Sequence, residues 1–143
     1  MAGTYHAEAG WSIERARSVE RRAGLLESFR DSEEATVSTV ERVLAAHREC
    51  VFSLGAAHSH YQTPALFARV VLLLPAPDPV RSVAVLRERC RALGLREWRD
   101  AGCDMIERWV TDGCNAELAT LTVYPDGKRP EQTRDEILAG LVS

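Results

Sequence analysis

Residues 70–91 read VVLLLPAPDPVRSVAVLRERCR, and their order decides the fold class. Val70–Leu74 is an unbroken apolar run of the kind found in strands covered on both faces. Pro75-Ala76-Pro77 stops it. Asp78-Pro79 then supplies a helix cap and a first-turn proline. The helix that follows is expected to reach about Leu93, with Val80, Val83, Leu86 and Cys90 facing inward, and Gly94 is a good stop. A strand that feeds directly into a helix is half of a β-α-β unit.

Upstream lies Cys50–His60, CVFSLGAAHSH. Its β-branched and aromatic residues and small-residue exit predict a strand over Cys50–Leu54. Thr63-Pro64 opens a helix that ends near Arg69. Before the strand, Ser12 caps a helix over about Ile13–Arg22, and Gly24 interrupts it. Asp31 and Glu34 have capping-box spacing, which predicts a helix over about Ser32–His47. Downstream, Leu95–Gly102 reads as a polar connector and Cys103–Val110 as a helix. Asp112-Gly113 reads as a turn, Thr120–Tyr124 as a third strand and Asp126-Gly127 as another turn. Pro130 opens a last helix with Ile137, Leu138 and Leu141 as its apolar stripe. Strands alternating with helices imply an α/β fold: about three mostly parallel strands flanked by helices in three layers.

The 143 residues suit a single domain, with residues 1–11 loose because they lack periodicity. A net charge of −3 gives no general attraction to nucleic acid or to an anionic membrane, so neither is an expected partner. No run is long enough to span a bilayer, and the N-terminus lacks the pattern of a signal peptide, so the expected compartment is the cytoplasm. Arginine outnumbers lysine 17 to 1, which reads as the codon usage of a GC-rich genome. Cys50, Cys90, Cys103 and Cys114 form no CxxC pair, so free thiols are expected rather than a zinc ribbon.

The chemistry-bearing candidates are few. His58 and His60 form an HxH pair without a nearby carboxylate, so no metal site is expected. Ser59 beside His58 lacks the acid that would orient a catalytic imidazole. Arg81, Arg87, Arg89, Arg91, Arg96 and Arg99 cluster on and after the helix that starts at Pro79. They read either as a solvated face paired with Glu88 and Glu97 or as phosphate ligands. Asp104 and Glu107 read as surface acids. Neither GxxxxGK[ST] nor GxGxxG occurs in the sequence.

Three stretches carry a family resemblance: CVFSLGAAHSHYQTPALFARV, VLLLPAPDPVRSVAVLRER, and WVTDGCNAELATLTVYPDGKRPEQTRDEIL. Together they resemble the C-terminal two thirds of P-loop small-molecule kinases of the shikimate-kinase-like type. The closing Pro-Glu-x-Thr-x-x-Glu-Ile-Leu, from Pro130 to Leu138, is similar to the last helix of that group. The resemblance implies a partial three-layer P-loop-kinase-like fold. It implies acceptor-substrate contacts at Gly55, His58 and Ser59 and phosphate contacts at Arg87 and Arg89. ATP and Mg²⁺ would be the family's cofactors. The loop that cradles phosphate, with its lysine and its hydroxyl for Mg²⁺, is absent from this sequence, and with it most of the electrostatic stabilisation of phosphoryl transfer. Ser53 stands where an acidic residue near the metal is expected, and only the 15 residues from Gly55 to Arg69 join the first two expected strands.

The expectation is therefore a degenerate or N-terminally truncated nucleotide-binding domain, inactive as a phosphotransferase, with no cofactor of its own and a small molecule as its ligand. A second expectation is a regulatory or scaffold module that forms homo-oligomers through exposed sheet edges. A third is a phosphotransferase with an atypical nucleotide site built from Arg87–Arg99 and the Gly55 loop.

Overall fold

The structure, a computed structural model, describes residues 10–47, 49, 51–53 and 69–143. In chain order the elements are α1 (Ile13–Ala23), α2 (Leu25–Ala46), β1 (Val71–Leu73), α3 (Pro79–Ala92), α4 (Met105–Thr111), α5 (Gly113–Leu118), β2 (Leu121–Val123) and α6 (Pro130–Val142). The fold is mixed α/β, mostly helical, with a small parallel sheet. The chain divides into two compact units, one containing α1, α2 and Arg99–Cys103, the other containing the remaining elements.

In the first unit, Ser12 caps α1 as expected, its Oγ accepting from the Arg15 N–H at 3.1 Å. Gly24 sits at φ 90°, a backbone geometry that disfavours other residues, and turns the chain straight into α2. The expected helix start at Asp31 is not found. Helix α2 is continuous from Leu25, and Asp31 lies inside it. The Asp31 carboxylate does not cap; it accepts a two-pronged bond from Arg15 of α1, at 2.8 and 2.7 Å. The Ser28 hydroxyl donates to the Ala16 carbonyl at 2.9 Å, a second tie between the two helices.

The start of α2 has no cap from its own neighbours. Asp100 supplies one: its Oδ2 accepts from the Leu25 N–H at 2.8 Å, and its Oδ1 accepts from Gly102 N–H at 2.9 Å. Leu25 is 1% exposed and leads a buried face that continues through Ala35, Val37 and Val40. Thr36 and Thr39 are buried on the same helix because their hydroxyls donate to the carbonyls of Ser32 and Ala35.

The strand expected over Cys50–Leu54 is not formed at Val51–Ser53, which carry no strand pairing. Val51 is fully exposed. An apolar, β-branched run needs a partner edge to become a buried strand, and none is found there among the described residues. Cys50 and Leu54 themselves, the expected helix after Thr63-Pro64 and residues 1–9 of the loose N-terminus lie outside the described residues.

In the second unit the other two expected strands form and pair in parallel: Val71 with Leu121, Leu72 with Thr122 and Leu73 with Val123. The pairing extends at both ends. Thr120 N–H donates to Val70 O at 2.9 Å, Leu74 N–H to Val123 O at 3.2 Å, and Asp126 N–H to Pro75 O at 3.0 Å. Parallel neighbours require a crossover, and α3, α4 and α5 provide it. Asp78 caps α3 as expected, accepting from Val80 N–H at 3.1 Å. Of the expected inward face of α3, Val83 is buried and Leu86 and Cys90 are half-buried, whereas Val80 in the first turn is exposed; Ser82 is buried beside Val83. Val83, Met105, Ile106 and Val123 are the buried apolar residues of this unit, with Ala76 at the strand exit. Helix α6 packs on β2, and Gly140 allows the approach: a Cβ there would sit 2.6 Å from Leu121 Cδ2. The expected stripe on α6 is narrower than Ile137, Leu138 and Leu141, because Leu138 is exposed.

Candidate functional site

The carboxyl ends of β1 and β2 open onto a groove of about 510 Å³. One wall is the strand exit Pro75-Ala76-Pro77 with Asp78 and Arg81; the other is Tyr124, Asp126 and Lys128. In open α/β sheets, the crevice outside the carboxyl ends of parallel strands is where ligands bind.

Each wall is held by local chemistry. Ser82 is 0% exposed, and its hydroxyl accepts from Ala76 N–H at 2.9 Å and donates to Ala76 O at 2.8 Å. That pair fixes the exit loop onto α3. The opposite wall turns at Gly127, at φ 76°, where Lys128 N–H donates to Pro125 O at 3.0 Å. Arg81 crosses the groove and donates to Asp126 Oδ2 from Nε at 3.1 Å and from Nη2 at 2.7 Å. Lys128 is ion-paired with Glu136 of α6. Both cations of the groove are therefore engaged by carboxylates, and a phosphate would have to displace them.

Arg87 and Arg89 do not converge. Two residues apart on a helix, they point to different sides. Arg87 is only partly exposed and bonds Asp104, whose other oxygen caps α4 by accepting from Glu107 N–H at 3.0 Å. Arg89 lines a second groove of about 460 Å³ along α3, with Arg81, Ala84, Val85, Glu88, Ala92 and Asp126. The other arginines of the cluster are spread further: Arg91 pairs with Glu97 at 2.9 Å, and Arg96 stacks over the Trp98 ring at 5.0 Å. Gly55, His58 and Ser59, and His60 beside them, lie outside the described residues. Ser53 is exposed.

Cys90 and Cys114 are free thiols. A hydrogen bond to Asp112, reinforced by its charge, pushes the Cys114 thiol above its ordinary pKa and keeps it protonated. Among the described residues, no group of three or more His, Cys, Asp or Glu side chains is placed to hold a metal ion. Among the same residues, no helix is long and apolar enough to cross a membrane.

The groove's working parts were only half visible in the sequence. Asp126-Gly127 reads as a turn, but nothing local announces that Asp126 pairs with Arg81, 45 residues away. No sequence motif singles out Ser82, and Tyr124 reads as a strand end. No family model, curated protein or solved structure matches the chain.

Proposed function

We propose that this chain is a degenerate, non-catalytic relative of the shikimate-kinase-like P-loop proteins that keeps a small-molecule groove at the carboxyl ends of its parallel strands. The observation that carries this reading is the parallel β1–β2 pair, joined by a helical crossover, with the Pro75–Asp78 and Tyr124–Lys128 walls at its exit. A three-layer P-loop-like arrangement is the finer architecture proposed with it. The phosphotransferase reaction is not part of the reading, for two reasons. The sequence holds no GxxxxGK[ST] to supply backbone N–H donors and a lysine to phosphate. Arg87, one of the two arginines that the resemblance points to, is held by Asp104. Gly55, His58 and Ser59 remain the proposed acceptor-side contacts.

Thermal unfolding in the presence of millimolar Mg·ATP tests the reading. The midpoint should not move, because a ligand stabilises only in proportion to RT ln(1 + [L]/Kd). A rise of several degrees would mean that a nucleotide site exists and would overturn it.

A second reading is a scaffold module that self-associates through its sheet edge. It is favoured by Leu73, an apolar residue of β1 that is 52% exposed. Light scattering across the micromolar range should then show mass rising with concentration, and a constant monomer mass excludes it.

A further inference from the structure

We draw no further inference here: the strongest candidate, the exposed surface patch of Leu93, Leu95 and Trp98 beyond the C-terminus of α3, carries nothing because nothing in the structure shows what covers it.

Discussion

Replacing Ser82 with alanine removes one oxygen atom and tests how the groove is held. The side chain is fully buried, and its hydroxyl is partner to both the N–H and the C=O of Ala76, itself buried. The substitution leaves no large void, so the loss is almost purely one of hydrogen bonding. Two neutral hydrogen bonds contribute about 1 kcal/mol each, and a buried amide left without a partner costs about 1–3 kcal/mol. The better helix propensity of alanine offsets a few tenths of a kcal/mol. Ser82→Ala is therefore expected to lower stability by about 2 kcal/mol. In urea that is a fall in midpoint of about 1 M with an unchanged slope, since slopes of about 1–3 kcal/mol/M are typical for small proteins. Trp98 and Trp109 both lie in this unit, so fluorescence in a Trp11→Phe background follows it. Ala84→Ser, at an exposed position of the same helix, is the control and should stay within about 0.5 kcal/mol of wild type. If Ser82→Ala also stays within that range, the hydroxyl does not secure the strand exit and the account of the groove fails.

Three further outcomes are expected. Asp100→Ala should cost about 1 kcal/mol by uncapping α2, and Asp100→Asn less. Hydrogen exchange at the Leu25 amide should quicken in the alanine variant, and unchanged protection would show that another group caps the helix. The Arg15 hydrogen bond and charge hold the Asp31 carboxyl below its usual pKa. A depressed folded-state pKa means that the stabilisation is complete above the ordinary carboxylate value of about 4 and is lost as pH falls through the folded value. The gap in melting temperature between wild type and Asp31→Asn should stay constant from neutral pH to about 5 and then narrow as the pH falls below the ordinary carboxylate value; a gap that never narrows contradicts the pairing. Asp112→Asn keeps an oxygen for the Cys114 N–H but weakens the hydrogen bond to the thiol and removes the charge, the two effects of Asp112 that raise the thiol pKa. Peptide mapping should find Cys114 alkylated several-fold faster at pH 8 in that variant, and an equal rate would mean that Asp112 does not control the thiol.

What could be read in advance was what short-range chemistry dictates. The stretch from Val70 to Gly94 carries its own instructions: an apolar run, two prolines that end it, an aspartate and a proline that start a helix, a glycine that stops it. Ser12 and Pro130 announce helices in the same way. The failures fall where a residue's partner is far along the chain. Asp31 looks like a cap because its spacing to Glu34 is right, yet Arg15 claims its carboxylate. Val51-Phe52-Ser53 has the composition of a strand, but composition cannot provide the neighbouring edge that a strand needs. The arginine cluster has the composition of a phosphate site. Arg87 and Arg81 nevertheless go to Asp104 and Asp126, acids contributed by other segments, while Arg91 pairs with Glu97 as the solvated-face reading expects.

The bond from Leu25 to Asp100 spans 75 residues. During synthesis α1 and α2 leave the ribosome before Asp100 is made, with the front of α2 still open. At roughly 5–20 residues per second, the side chain that closes it is made about 4–15 seconds later. Through that interval the nascent hairpin is exposed to the chaperones and proteases that inspect unfinished chains. The unit of α1 and α2 is thus completed only once Asp100 is made, and a pause in translation anywhere between β1 and Asp100 would lengthen its exposure.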